Sequence, residues 1–273
     1  MVDCMEIKDS RIDAGKAFDW GRVSSDYAKY RDIYPDAFYQ RIISTGLCVK
    51  GQKVLDLGTG TGVLPRNLYQ YGAKWTGTDI SANQIAQAER LAEEGKMDIE
   101  FLTVSAEDLD FDDESFDVIT ACQCFWYFRP ETVIPKLAKL LKPKGSLLIM
   151  NMAWLPYEDE IAGKSEALVV KYSPKWTGAG ETRHPVKIPA IAYDCFELQF
   201  NEVFDLMVPF TRETWNGRMK ACRGVGASLS PQEIESWEAE HKKLLEETAP
   251  EEFEILHYAA FAQLKKKEIK KHE

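Results

Sequence analysis

The residues best suited to chemistry form a glycine-rich stretch, KVLDLGTGTG, at residues 53–62. Its glycines, Gly58, Gly60 and Gly62, stand at every second position. Glycine tolerates the backbone conformations of a tight turn, lets the chain pass close to a ligand, and leaves N–H groups free to face that ligand at the start of a helix. The stretch therefore predicts a loop between a strand and a helix that holds a nucleotide-like ligand.

Two departures from other nucleotide-binding loops narrow the choice of ligand. A dinucleotide fingerprint requires its third glycine where Val63 stands, and a P-loop requires a Gly-Lys-Ser/Thr ending that this loop lacks. In addition, Asp56 lies just before the first glycine, and its carboxylate repels a pyrophosphate but attracts an ammonium group. We therefore expect a nucleotide-like ligand that carries an ammonium group.

Two acidic segments follow the glycine loop at the ends of the next predicted strands. Asp79 is placed to accept hydrogen bonds from the two hydroxyls of a ribose, with Ile80 beside it, unless Asp79 merely caps the helix that begins near Ser81. Further along, Ala106 and Glu107 offer a backbone N–H and a carboxylate to an adenine ring, unless they belong to an acidic surface loop.

An alternation of apolar strand patterns and amphipathic helix patterns over residues 52–150 supplies the scaffold. It predicts an α/β fold in which helices cover both faces of a parallel sheet. The predicted strands are 53–57, 74–79, 99–104, 116–121, 146–150, 202–209 and 253–264. The predicted helices are 36–45, 63–71, 81–95, 130–141, 161–170, 212–222 and 231–247, after a further helical pattern that Pro35 interrupts.

Composition and charge limit the classes of partner that the protein is expected to bind. The 34 basic and 44 acidic residues give a net charge of −10, which argues against a nucleic-acid substrate. Apolar runs fall short of the ~20 residues that span a bilayer, and the N-terminus does not resemble a secretory signal, so we expect a cytoplasmic protein. The six cysteines lack the spacing of a metal site and are expected to be reduced thiols, and the basic block 265–271 is expected to be a solvated tail.

The order and spacing of these motifs over about residues 54–150 resemble those of the class I S-adenosylmethionine-dependent methyltransferases. The residues that match the family's glycine loop, ribose acid and adenine loop are Asp56, Gly58, Thr59, Gly60, Thr61, Gly62, Asp79, Ser105, Ala106 and Glu107. A closer resemblance, to the methyltransferase type 11 group that includes trans-aconitate methyltransferase-like proteins, rests on Tyr27-x-x-Tyr30-Arg31-x-x-Tyr34-Pro35 and on the run CQCFWYF at 122–128. In that run Phe125 stands where relatives often carry histidine.

The resemblance implies a doubly wound, Rossmann-like sheet of seven strands, mostly parallel with the last strand antiparallel, and S-adenosylmethionine as cofactor. It implies transfer of a methyl group to a small-molecule acceptor. The expected division is an N-terminal helical lid over 1–50, a cofactor-binding core over 51–150, an inserted substrate cap over 151–200, and a C-terminal completion of the sheet over 201–273.

The resemblance also assigns site residues. Methyl transfer from a sulfonium is an in-line displacement that needs positioning and aromatic walls, for which Trp126, Tyr127 and Trp154 are the candidates; each is alternatively an ordinary core residue. Cys122 and Gln123 are expected to flank the cofactor.

Other side chains are weaker candidates for the binding and catalytic site. Tyr27 and Arg31 are expected to form a lid in which Arg31 reaches the carboxylate of the cofactor, unless they belong to a surface helix. His184 and His257 are possible general bases. The arginines considered for an anionic acceptor are Arg183, Arg212, Arg218 and Arg223.

Two alternatives remain open from the sequence. One is a nicotinamide-dependent oxidoreductase on a similar sheet, against which Val63 and Asp56 both count. The other is a non-catalytic S-adenosylmethionine-binding module, which the lack of a clear catalytic acid or base in the sequence permits.

Overall fold

The computed structural model describes residues 7–268, and the chain divides into two compact units. We call the unit Asp36–Met152, His184–Phe204 and Ala259–Glu273 the core unit. The remainder, Met1–Pro35, Ala153–Arg183 and Asp205–Tyr258, is the second unit. Residues 1–6, which include Cys4 and the start of the segment considered for a signal, lie outside the described part, as do residues 269–273, which include the end of the basic block 265–271.

The described residues form a seven-stranded sheet of order β3-β2-β1-β4-β5-β7-β6, mostly parallel with β7 antiparallel and with helices on both sides, as predicted. The strands are β1 (Lys53–Leu57), β2 (Lys74–Asp79), β3 (Glu100–Thr103), β4 (Phe116–Cys122), β5 (Leu141–Trp154), β6 (Phe196–Thr211) and β7 (Glu252–Lys266). β5 and β6 are much longer than predicted. The prediction was based on runs of apolar residues, whereas both strands continue into segments where buried residues alternate with partly buried or exposed ones.

The α-helices are α1 (Ser24–Tyr30), α2 (Asp36–Ser44), α3 (Val63–Leu68), α4 (Ala82–Glu94), α5 (Pro130–Leu140), α6 (Glu160–Tyr172), α7 (Ala192–Cys195), α8 (Arg212–Lys220) and α9 (Pro231–Thr248). Short 3₁₀ turns occupy Asp13–Gly15, Trp20–Val23, Tyr69–Tyr71 and Phe125–Tyr127. Within residues 7–268 the structure contains no helix with the length and apolar character of a membrane span.

Parallel pairing in the core unit brings several strand ends to one edge of the sheet. In β1, residues 54–57 are buried, and burial of each large apolar side chain contributes about 1.5–3 kcal/mol. Leu57 pairs with Thr78 of β2 and with Ala121 of β4 in parallel register. The glycine loop, Asp79 and the residues that follow β4 therefore all begin at this edge.

The second unit is organised by capped helices and buried indoles. Ser230 and Glu233 form a capping box at the start of α9, with the Ser230 hydroxyl accepting from the Glu233 N–H at 3.3 Å. Trp215 and Trp237 are fully buried. Helix α6, predicted at 161–170 within the segment 151–200, begins at Glu160 and is capped by Asp159.

The solvated tail predicted at 265–271 is partly wrong, because β7 continues to Lys266. The Lys266 ammonium donates to the Leu141 carbonyl at 2.6 Å and lies 3.8 Å from a Glu114 carboxylate oxygen. A lysine whose side chain is 13% exposed belongs to the sheet and not to a free tail.

Candidate functional site

The glycine loop has the backbone that its sequence predicts. Gly58, Gly60 and Gly62 have φ angles of 55°, 58° and 71°, in the left-handed region that favours glycine. The Thr59 N–H donates to the Thr78 carbonyl at 2.9 Å, which ties the loop to the end of β2. The loop thus turns directly from β1 into α3.

Asp79 closes the loop from the neighbouring strand. Its Oδ2 accepts from the Gly60 N–H at 2.9 Å, and its Oδ1 accepts from the Ser81 N–H at 2.9 Å. Burial raises the pKa of Asp79, and these two hydrogen bonds oppose that rise. The cap of α4 is Ser81, whose hydroxyl accepts from the Gln84 N–H, so helix capping does not explain Asp79. A carboxylate offers about four acceptor positions, which leaves capacity for two ribose hydroxyls.

Asp56 lies beneath the loop and is 2% exposed. Its Oδ1 accepts from the Thr120 hydroxyl at 2.6 Å, and Thr120 is its register partner on β4. Burial raises the pKa of Asp56 to about 6, because the charged form loses its hydration. Nearby, the Thr61 hydroxyl is buried and has no hydrogen-bond partner among the described residues.

Two residues that pack against the glycine loop, Cys124 and Phe101, were not predicted from the sequence. A Cβ added at Gly58 would lie 2.7 Å from the Cβ of Cys124, and the Cys124 thiol donates to the Leu57 carbonyl at 3.0 Å. A Cβ added at Gly62 would lie 2.8 Å from the Phe101 ring of β3. The sequence feature that could have indicated Cys124 is its place two residues after Cys122. Which of the two cysteines faces the loop depends on where β4 ends.

The run CQCFWYF leaves the strand after its first residue. β4 ends at Cys122, which is half-buried, and Gln123 turns the chain with a φ of 65°. The Gln123 N–H donates to the Met150 carbonyl at 2.9 Å and its side-chain amide donates to the Met152 carbonyl, so Gln123 is anchored to β5. Gln123 is accordingly held at the strand end beside Cys122.

The aromatic residues of that run form a 3₁₀ turn, and they differ in exposure. Phe125 is buried in the core of the unit, and Tyr127 packs against the same core. Trp126 is 48% exposed, with its ring centroid 5.8 Å from that of Tyr127. Trp126 is therefore available to contact a ligand, whereas Phe125 is a core residue.

The predicted adenine loop is held by its own polar groups. The Ser105 hydroxyl donates to Asp108 Oδ2 at 2.6 Å, and Ala106 is buried. Glu107 Oε1 accepts from the Arg129 N–H at 2.9 Å, at the start of α5. Ile80, at the end of β2, is 37% exposed and offers an apolar surface.

Tyr27, Arg31 and Trp154 belong to the second unit. Arg31 donates to the Tyr27 hydroxyl at 3.2 Å and stacks 4.6 Å from the centroid of its ring. The Trp154 indole is buried, and its N–H donates to Glu166 at 2.7 Å.

The histidines considered as general bases have different surroundings. His257 is fully buried in the second unit, where burial lowers its pKa to about 3, so it stays neutral and inaccessible. His184 of the core unit bonds the neighbouring Pro185 carbonyl at 2.8 Å. Residues 7–268 contain no group of three or more His, Cys, Asp or Glu side chains that could hold a metal ion.

Comparison with known proteins agrees with this geometry. Residues 55–149 match a family described as "Methyltransferase domain". The Ubiquinone biosynthesis O-methyltransferase of Bradyrhizobium sp. (strain ORS 278) is 30% identical over 133 residues, 48% of this chain and 51% of its own length. The protein of that name from Coxiella burnetii (strain Dugway 5J108-111) is 34% identical over 113 residues, 41% of this chain and 48% of its own length.

The chain thus spans about half the length of the curated relatives that it matches. Among solved structures, the YcgJ protein from Bacillus subtilis aligns with a TM-score of 0.51 and 19% identity, over 84% of this chain and 98% of YcgJ. This likeness concerns the fold alone. Residues 55–149 are thus similar to a methyltransferase domain, and the described sheet has the strand order and strand directions of the class I methyltransferase fold.

Proposed function

We propose that this chain transfers a methyl group from S-adenosylmethionine to a small-molecule acceptor. The observation that carries the proposal is the glycine loop closed by Asp79, at the carboxyl edge where β1, β2 and β4 end. Ligands of open α/β sheets bind at this edge. The match of residues 55–149 to a methyltransferase domain family and the names of the curated relatives support the same activity.

The residues of the edge fit S-adenosylmethionine better than a phosphate-bearing cofactor. Asp56 and Asp79 are both acidic, and carboxylates accept from hydroxyls and ammonium groups but repel a pyrophosphate. The buried Thr61 hydroxyl adds a further polar group without a partner among the described residues. A nicotinamide dinucleotide would bring its pyrophosphate against these acids, so this alternative has no support here.

We assign the binding roles as follows. Asp79 would hold the ribose hydroxyls, and the N–H groups of the loop would lie along the ligand. Asp56 would attract the ammonium group. Ile80 would pack on the adenine ring, with the segment 105–107 along its polar edge. Cys122 and Gln123 would flank the ligand, with Gln123 fixed by its bonds to β5.

S-adenosylmethionine would supply a methyl group on a positively charged sulfur. The work left to the protein is to position the acceptor in line with that methyl and to exclude water. Trp126, half-exposed at the end of β4, is the residue best placed to contact the acceptor, with Tyr127 supporting its ring. Aromatic faces stabilise the partial positive charge of the methyl group.

The assignment of Tyr27, Arg31 and Trp154 to the site remains part of the proposal, as does the division into lid, core, cap and C-terminal segments. A cytoplasmic location and the absence of a nucleic-acid partner are also proposed. The net charge of −10 supports the latter, because binding to a polyanion favours basic proteins.

Transfer of label tests the activity. The wild-type protein and Asp79→Ala are incubated with methyl-labelled S-adenosylmethionine and a pool of metabolites, and the small molecules are separated from the cofactor. The wild type is expected to label at least one small molecule, and Asp79→Ala is expected to label it much more slowly. Cofactor binding by the wild type without any labelled product would favour the non-catalytic module instead.

A further inference from the structure

The arginines of the second unit differ in one respect that points to a ligand. All those considered for anion binding lie in this unit, and most are paired inside the protein. The pairs are Arg183 with Asp205 at 2.6 and 2.8 Å, Arg212 with the Ala249 carbonyl at 2.9 and 2.7 Å, and Arg223 with Asp13 at 2.8 and 3.1 Å. Arg218 is the exception.

Arg218 is a buried cation that forms no salt bridge with the residues that the structure describes. Its side chain lies on α8 and is 4% exposed, yet its Nε and Nη1 have no hydrogen-bond partner among the described residues. Its guanidinium stacks over the Trp154 ring, 4.9 Å from the centroid. A buried charge without a hydrogen-bonded partner is costly, so proteins seldom keep one without a use for it.

A second arginine stands close to the first. Helix α1 packs on α8 at Gly217, where an added Cβ would lie 2.4 Å from the Tyr30 ring. This close approach brings Arg31, which directly follows α1, towards Arg218. Burial, and after it the charge of Arg31, lower the pKa of Arg218 to about 9, so both guanidiniums are charged at pH 7.

Among the described residues, the groups that most shift the pKa values of the two arginines include Tyr27 and Tyr34 but no carboxylate. After burial, the groups that shift the pKa of Arg218 most are Arg31, Cys222, Tyr27 and Tyr34, and Arg218 in turn lowers the pKa of His257. The nearest carboxylate in the Trp154 network, Glu166, instead accepts from the Trp154 indole at 2.7 Å and from the Gly180 N–H at 2.7 Å. These bonds fix the indole on which Arg218 stacks.

We propose that Arg218 and Arg31 bind the carboxylate of a small-molecule ligand, with Trp154 as the flat surface that orients the Arg218 guanidinium. Guanidinium groups recognise carboxylates through strong charge-assisted hydrogen bonds. This inference rests on the proposed function, because the methyl acceptor of that reaction is the small molecule that would supply the carboxylate.

Thermal unfolding without ligand tests whether Arg218 is unpaired. Arg218→Met removes the charge but keeps the length of the side chain, and Arg223→Met is the matched control because Arg223 is also buried, at 8% exposed against 4% for Arg218, but is paired with Asp13. Arg218→Met is expected to raise the midpoint of unfolding, and Arg223→Met to lower it. A variant Arg218→Met that unfolds earlier than wild type, or fails to fold, would show a structural role and overturn the proposal.

Ligand binding then identifies the source of the carboxylate. Affinities of the wild type, Arg218→Met and Arg218→Lys are measured for S-adenosylhomocysteine, for 5′-methylthioadenosine, which lacks the amino-acid end, and for succinate and benzoate. If the acceptor is the source, only succinate or benzoate binds more weakly, and Arg218→Lys recovers part of the loss. If Arg218→Met instead loses at least tenfold in affinity for S-adenosylhomocysteine and nothing for 5′-methylthioadenosine, the carboxylate belongs to the cofactor and the assignment to the acceptor is overturned.

The carboxylate site would be refuted if Arg218→Met kept the wild-type affinity for every one of these probes while the wild type still bound S-adenosylhomocysteine. Failure of the proposed function looks different: the wild type would not bind S-adenosylhomocysteine at all, and the unfolding midpoints and the binding of succinate and benzoate would still report on Arg218.

Discussion

Replacing Asp56 with asparagine separates two effects of its carboxylate, a cost in stability and a gain in ligand binding. The Asp56 pKa is about 6 in the folded protein, against about 3.9 in an unfolded chain. Ionising Asp56 in the folded state therefore costs about 3 kcal/mol more than ionising it in the unfolded state. Asparagine keeps an acceptor for the Thr120 hydroxyl and carries no charge.

The sign of the pH dependence follows from these two pKa values. Below about pH 4 the carboxyl is protonated in both states and carries no cost, and the cost grows between pH 4 and 6 and is complete above pH 6. Denaturant unfolding should therefore find Asp56→Asn more stable than wild type by up to about 3 kcal/mol at pH 8, with the difference vanishing near pH 4.

Asp117 supplies a control of opposite sign. Burial alone would raise its pKa, but hydrogen bonds from the Lys142 ammonium and the Lys53 N–H, both at 2.8 Å, lower the pKa of Asp117 overall. Asp117→Asn should therefore reduce stability at pH 8. If Asp56→Asn also reduces stability at pH 8, or if its advantage does not shrink in acid, the burial argument for Asp56 is refuted.

Binding should move in the other direction. The ionised Asp56 carboxylate attracts the ammonium group of the ligand, so Asp56→Asn should bind S-adenosylhomocysteine about tenfold more weakly at pH 8, equivalent to about 1.4 kcal/mol. Wild-type affinity should fall as the pH drops below 6, because Asp56 must then lose a proton on binding. The affinity of the variant should lack this step, and calorimetry from pH 5 to 8 measures both.

Three further substitutions test the neighbouring parts of the site. Gly58→Ala places a Cβ 2.7 Å from the Cβ of Cys124 and should lower the unfolding midpoint more than Gly46→Ala, which has a φ of 75° but open space around it; equal effects would contradict the packing argument. Asp79→Ala leaves the Gly60 N–H without its acceptor and should weaken S-adenosylhomocysteine binding at least tenfold by calorimetry, and an unchanged affinity would exclude the ribose role. Trp126→Ala removes a ring that is 48% exposed, so stability and cofactor affinity should change little while turnover falls; an unchanged rate would remove Trp126 from the acceptor pocket.

The sequence predicted what depends on local pattern. The bounds of β1 and β2 agree with the predicted strands to the residue, because glycine or serine turn residues lie on either side of both strands. The capping box of α9 was likewise readable from Ser230 and Glu233, whose spacing defines the motif. The glycine loop was predictable because its conformation excludes most other residues.

Contacts between segments distant in the chain were harder to predict. The packing of Cys124 against Gly58 depends on β4 ending at Cys122 and on the turn at Gln123, which no local pattern reveals. The sequence also does not predict that Arg223 is paired and Arg218 is not, because this depends on whether a distant acid such as Asp13 lies within hydrogen-bond distance of each arginine.

Titration of S-adenosylhomocysteine into the wild-type protein tests the central claim most directly. The geometry of the glycine loop, Asp56 and Asp79 predicts saturable one-to-one binding with a dissociation constant on the order of 1–100 μM. The same titration into Asp79→Ala should give much weaker binding. Absence of wild-type binding at about 1 mM ligand would contradict the assignment of S-adenosylmethionine as the cofactor.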